Sequence, residues 1–206
     1  MSKPLLLDLF CGAGGAAMGY HRAGFDVVGV DIKPQPHYPF EFAQADAMTF
    51  PLKGFDVIHA SPPCQRYTRC TPPQHRDKHA DLLEPVSLRL QAVGVPYAIE
   101  NVPDARTILR EPIMLCGTMF GLPTLRHRYF EIRPNSELAL LPACAHPRLP
   151  VVITGTTRRK TGRLEYRVQD CRDAMEIQWM IRTELDEAIP PAYTEYIGKQ
   201  LIDALH

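Results

Sequence analysis

The sequence predicts an α/β fold built on a doubly wound, mostly parallel sheet with helices on both faces. Three observations carry this expectation. Apolar strand-like runs alternate with helical patterns through the first half, a glycine-rich turn follows the first run, and acidic residues close later runs.

Taken in order, PLLLDLF reads as a first strand, AAMGYHRAG as a helix ended by Gly24, and FDVVGVD as a second strand. FDVIHA and VPYAIEN read as further buried strands. Between them, DLLEPVSLRLQAVG spaces its leucines and valines as a helix does, and Pro85 must then lie near its first turn. From about residue 133 the texture turns proline-rich in RPNSELALLPACAHPRLP, followed by the basic stretch TTRRKTGRLEYR. The tail, with apolar residues at helical spacing on both sides of Pro190 and Pro191, should return to the first domain. The expected division is residues 1–132 for the catalytic, cofactor-binding part, 133–172 for a short insertion and 173–206 for a helical tail.

A chain of 206 residues suits one domain, and 45% apolar with 22% charged residues suits a soluble globular protein. The 20 prolines are about twice the usual share and imply many sharp corners. Lysine plus arginine equals aspartate plus glutamate, 23 against 23, so any basic footprint must be local. Asp8 interrupts the leading apolar run too early for a signal peptide and nothing approaches a membrane span, which gives a cytoplasmic reading with no membrane partner. The six cysteines form no CxxC pair, which disfavours disulfides. Cys144-Ala-His146 could open a metal site, but Cys171, the one later cysteine, has no nearby partner to complete a ligand set. A surface turn is the expected reading there, and no metal is expected.

In DLFCGAGG, Gly12, Gly14 and Gly15 can form a tight turn that brings backbone close to a ligand. The loop has neither the G-x-G-x-x-G spacing nor the Lys-Ser/Thr ending of phosphate-binding loops, and a nucleoside without phosphates needs neither. Asp31 ends the second strand, where a carboxylate can accept both ribose hydroxyls, and Asp46 is placed to face an adenine edge. Aspartates at strand ends also commonly cap helices. The ordered set favours an adenosyl ligand.

The stretch ASPPCQRYTR sets Cys64 behind two prolines at the end of a predicted strand, where α/β sheets place ligands. Pro62 and Pro63 stiffen the bend, and Arg66 and Arg69 are expected to favour the reactive thiolate. Glu100, in AIENV, should reach the same rim and carry a pKa raised by partial desolvation. Arg126 and Arg128, in LRHRYFEI, would share one face if that segment is a strand, and two guanidinium groups suit a carbonyl and a phosphate.

DLFCGAGG, SPPCQ, ENV and RHR occur in the order and spacing of the DNA cytosine-5 methyltransferases, and the chain resembles that family over roughly residues 5 to 130. EAIPP in the tail stands where the family carries its GNAVPP segment. The resemblance implies a Rossmann-like S-adenosylmethionine-dependent methyltransferase fold. It also implies transfer of a methyl group to carbon 5 of cytosine in double-stranded DNA, with the target base flipped out of the stack. Cys64 would be the nucleophile, Glu100 would hold or protonate the ring nitrogen, and Arg128 with Arg126 would bind the base carbonyl. S-adenosylmethionine would lie against Asp8, Phe10, Gly12, Gly14, Gly15, Asp31, Ile32, Asp46, Ala47 and Pro62. Gln65, Arg66, Arg69 and Asn101 would meet the substrate, and Arg158, Arg159 and Arg163 of the basic stretch are candidates for backbone contact.

The chain departs from the family pattern at Glu187, where an asparagine is usual, and at Thr124, where a glutamine is usual. The segment between RHRYF and the tail is also far too short for the family's target-recognition domain. Specificity would then be short, loose, or supplied by a partner or second copy. A role in protecting bacterial or bacteriophage DNA from restriction is the expected setting. Rival readings keep the chemistry on RNA, transfer a modified methyl group, methylate an exocyclic amine, or retain nucleic-acid binding without catalysis. A cysteine after SPP, where amine methyltransferases place an aromatic residue, argues against the amine reading.

Overall fold

The computed structural model describes residues 2–134, 141–146, 148, 150–154 and 166–205. The first strand, β1 (Leu5–Leu9), leads through the glycine turn into α1 (Gly15–Ala23), which Gly24 ends in a left-handed cap. β2 (Asp26–Asp31), β3 (Glu41–Gln44) and β4 (Val57–Ala60) follow. After the four-residue helix α2 (Pro73–Arg76) come α3 (Leu83–Val93) and β5 (Tyr97–Asn101). Pro85 lies in the first turn of α3, where its missing N–H is not required.

The sheet order is β3-β2-β1-β4-β5-β7-β6, with β6 (Ile113–Leu115) and β7 (Arg128–Arg133) completing seven strands. β1 to β5 pair in parallel, whereas β7 runs antiparallel to both β5 and β6. The doubly wound, mostly parallel sheet expected from the sequence is therefore present, and its antiparallel β7 inserts between β5 and the edge strand.

Alternation along the strands divides the core into two layers. Leu6, Ala98 and Phe130 pack beneath Tyr20 of α1 and Tyr193 and Ile197 of the last helix, α6 (Pro191–Asp203). Leu7, Leu9, Ile58 and Ile99 point the other way, onto Leu83, Val86 and Leu90, which recur at helical spacing on α3. The tail also contains α4 (Val168–Met175) and α5 (Arg182–Glu187), so helix begins before the expected boundary at residue 173.

Close approach of α1 and α6 depends on Gly19. A Cβ there would lie 2.0 Å from Thr194 Oγ1 and 2.1 Å from the Pro191 carbonyl oxygen. Glycine lets the backbones meet, and Thr194 Oγ1 then donates to the Ala16 carbonyl at 2.8 Å. The indole N–H of Trp179 similarly donates to the Ala13 carbonyl at 2.8 Å, tying the tail to the glycine turn. Among the described residues, no helix is long and apolar enough to cross a membrane.

Candidate active site

The turn after β1 is wound through left-handed conformations, with φ of 58° at Phe10, 49° at Gly12 and 84° at Gly14. A Cβ on Gly12 would meet nothing within 4 Å, so open space lies over its backbone. Asp31, at the end of β2, accepts the Gly12 N–H at 3.1 Å and the Lys33 N–H at 2.9 Å. One carboxylate thus fixes the turn beside it. Ile32, next in sequence, is an apolar side chain left 66% exposed. Asp46 lies two residues beyond β3, where its carboxylate accepts the Met48 N–H at 2.8 Å and caps a turn; Ala47 is buried.

Below this turn, the Asp8 carboxyl is buried, and neither oxygen has a hydrogen-bond partner. Burial, followed by the charge of Asp31, pushes its pKa well above the carboxylate range. The Tyr38 hydroxyl is another buried group without a partner, on a ring packed against Gly29 and Gly14. Open space over Gly12, a carboxylate at the end of the neighbouring strand and an exposed apolar side chain beside it fit a nucleoside-bearing ligand.

Pro62 and Pro63 carry the chain away from β4 to half-buried Cys64. Glu100 reaches the same rim from β5. It pairs across the antiparallel ladder with Phe130, and Arg128, two residues earlier on β7, is its diagonal neighbour on that face. Arg128 Nε donates to Glu100 Oε1 at 2.9 Å, with both side chains largely buried. Burial raises the Glu100 pKa, against the opposing effects of Arg128, a hydrogen bond from Ser61, and Arg126. The same ion pair acts on Cys64, whose pKa is raised by burial and by Glu100 and lowered by Arg128.

Several expected members do other work. Arg66 pairs with Asp77 and Asp81 farther along its own loop, and Arg69 pairs with Asp104 in the turn after β5, so both charges have carboxylate partners away from the thiol. The cation that lowers the Cys64 pKa is Arg128, and burial outweighs it; the resting group is a thiol, contrary to the expected thiolate. Arg126 precedes β7 and does not alternate with Arg128 along a strand. Its φ is 26°, and its guanidinium donates to the Ala188 carbonyl at 2.6 Å and the Asp186 carbonyl at 2.7 Å. Buried Asn101 donates to the Pro62 carbonyl at 3.0 Å and so fixes the bend that carries Cys64. Gln65 keeps a buried side-chain oxygen without a partner. Arg158, Arg159 and Arg163 lie outside the described residues.

Sequence reasoning missed a polar row behind Glu100. Tyr20 Oη lies 2.9 Å from His59 Nδ1, and His59 Nε2 lies 2.9 Å from Ser61 Oγ. Burial holds the His59 pKa down to about 3, so the ring is neutral and can connect two hydroxyls. The polar His59 and Ser61 in the IHAS stretch were its visible signal. Sequence reasoning also left Cys144 and His146 without partners, whereas Cys116 and His127 lie beside them.

No family model matches the chain. The type II methyltransferase M.HgiDI of Herpetosiphon aurantiacus is 26% identical over 156 residues, covering 61% of this chain and 50% of that protein. The chain therefore spans about half the length of this curated relative. A DNA modification methyltransferase encoded within an E. coli prophage superimposes with a TM-score of 0.66 at 16% identity, over 97% of this chain and 99% of its own. The Dnmt2 methyltransferase of S. pombe superimposes with a TM-score of 0.63 at 15% identity, over all of both chains. With the strand order above, these likenesses define a Rossmann-like methyltransferase fold.

Proposed function

We propose that this protein transfers a methyl group from S-adenosylmethionine to carbon 5 of cytosine in DNA through a covalent Cys64 adduct. The observation that carries the proposal is the convergence of Cys64, Glu100 and Arg128 at one rim, where the Glu100–Arg128 pair acts electrostatically on a thiol whose pKa burial raises. The DNA substrate is supported by the resemblance of SPPCQ, ENV and RHR to the cytosine-5 enzymes, and methyl transfer by the similarity to the type II methyltransferase M.HgiDI.

The bound cofactor would supply an electrophilic sulfonium methyl group. Gly12, Asp31 and Ile32 would hold its nucleoside, and the Asp31 carboxylate would accept from the ribose. Cys64 first loses its proton to solvent, which Arg128 favours. The thiolate then forms a bond to carbon 6 of cytosine while Glu100, whose pKa burial raises against the pull of Arg128, delivers a proton to ring nitrogen 3. The former C5=C6 electron pair would bond carbon 5 to the methyl group as the methyl–sulfonium bond breaks, its electrons remaining on the sulfur of the departing neutral thioether. Loss of the carbon 5 proton to a base, rupture of the C6–S bond and return of the nitrogen 3 proton to Glu100 restore the aromatic ring and the thiolate. Arg128 would also face the base carbonyl, and Gln65 offers the base an unpaired acceptor.

DNA containing 5-fluorocytosine tests the proposal, because fluorine at carbon 5 blocks the final elimination. With S-adenosylmethionine present, wild type should form a covalent complex mapped to Cys64 by peptide mass spectrometry, and Cys64→Ser should form none. An equal adduct in both, or none in wild type, would refute the mechanism. Nucleoside mass spectrometry of treated DNA and RNA identifies the polymer and the transferred group.

A further inference from the structure

We infer that Cys116, His127, Cys144 and His146 form a structural zinc site that fastens the segment after β7 to the arginine-bearing edge of the active site. The four donor atoms lie within 4.8 Å of one another. His127 Nε2 is 3.1 Å from His146 Nε2 and 3.4 Å from Cys144 Sγ. His146 Nε2 is 2.6 Å from Cys144 Sγ and 4.0 Å from Cys116 Sγ. A tetrahedral ion about 2.0 Å from nitrogen and about 2.3 Å from sulfur requires donors spaced roughly 3.3–3.8 Å apart. The observed separations bracket that range, so small side-chain adjustments suffice.

The chemistry agrees with the spacing. Both imidazoles turn the same nitrogen, Nε2, toward one point, and both thiols face it. Two thiolates would neutralise a divalent zinc ion, which matters because Cys116 is completely buried. The Thr118 hydroxyl lies 3.2 Å from Cys116 Sγ and 3.9 Å from Cys144 Sγ, a suitable position for a donor supporting a metal-bound thiolate. Two sulfurs and two imidazole nitrogens in a compact cluster select zinc over hard cations. With four protein ligands the site would be closed, which marks it as structural.

Its position gives it a purpose. Cys116 directly follows β6, His127 stands between Arg126 and Arg128, and Cys144 and His146 come from beyond the end of β7. One ion would bind the later segment to the turn that aims both arginines. The inference rests on the ligand geometry alone and is independent of the proposed reaction.

The full chain, expressed with zinc and desalted, should contain about one zinc per chain by elemental mass spectrometry. Stripping it with a chelator and adding cobalt should produce the visible absorption of tetrahedral cobalt with a thiolate charge-transfer band. Cys144→Ser combined with His146→Ala should reduce zinc to background while far-ultraviolet circular dichroism stays native, because this pair lies at the surface side of the cluster. Metal-free wild type after zinc-replete expression, a Cys116–Cys144 disulfide in its place, or full zinc in the double variant would overturn the inference. The wild-type stoichiometry and cobalt spectrum decide the matter even if the variant fails to fold.

Discussion

Arg128 donates through Nε to Glu100 Oε1 at 2.9 Å, joining two strands at the rim where Cys64 emerges. In Arg128→Ala, Glu100 loses its main opposing cation, and the Cys64 thiol loses the main influence that lowers its pKa. Both pKa values then rise. At a fixed pH below the thiol's pKa, less thiolate is present. Iodoacetamide labelling of Cys64, followed by mass spectrometry, should therefore be slower in Arg128→Ala, with its pH profile displaced upward. Methyl transfer should fall on the order of 10²–10³-fold, the loss typical of removing a charge-stabilising donor. An unchanged labelling profile would separate Arg128 from the thiol.

The parallel half of this arrangement was legible in the sequence because buried strands, a glycine turn and acidic strand ends each leave a local pattern. LLLDL, DVVGVD, VIHA and YAIEN are strands, and Cys64 and Glu100 come to one rim. Side-chain pairing was not legible, since it depends on where distant acids fall. Arg66 and Arg69 are basic neighbours in sequence, yet Asp77, Asp81 and Asp104 engage them. Arg126 looked like a twin of Arg128, but a left-handed backbone just before β7 sends its guanidinium to the tail. Cys116, His127, Cys144 and His146 have irregular spacing, and their grouping exists only after β6 and β7 pair.

Arg126 should prove a positioning residue. Its guanidinium satisfies the Ala188 and Asp186 carbonyls, while its own carbonyl accepts the Tyr193 hydroxyl at 2.9 Å. Arg126→Ala leaves two tail carbonyls without their charged donor and should cost about 3 kcal/mol, given roughly 1.5–3 kcal/mol for a hydrogen bond to a charged group. Urea unfolding followed by the fluorescence of Trp179 would measure this. Arg126→Lys should recover less than half of the loss, since an ammonium cannot reproduce the planar pair of donors. Full recovery by lysine would reduce the contact to simple charge.

Asp31 couples the cofactor site to the glycine turn, because the same carboxylate holds the Gly12 and Lys33 N–H groups. Asp31→Ala should weaken S-adenosylhomocysteine binding by about 10- to 100-fold, corresponding to about 1.4–2.7 kcal/mol. Calorimetry would measure that affinity. The thermal midpoint without ligand should fall only slightly, since Asp31 lies at a strand end outside the apolar core. Equal affinity in wild type and variant would remove Asp31 from the site.

The buried carboxyl of Asp8 should make the ligand-free protein less stable as pH rises. Its folded pKa is raised by burial and by Asp31, so the folded state keeps its proton after the unfolded chain has lost it. Between those two pKa values the folded state binds more protons, and stability declines with increasing pH. Below the unfolded value of about 3.9 the carboxyl is neutral in both states, and this penalty vanishes. Asp8→Asn removes the titration while nearly preserving shape. The variant's advantage over wild type in denaturant unfolding should therefore be small at pH 4 and grow toward pH 7.5, at up to about 1.4 kcal/mol for each pH unit between the unfolded and folded pKa values. Above the folded pKa the advantage should level off. A difference independent of pH would show that the carboxyl ionises equally in the folded and unfolded chains.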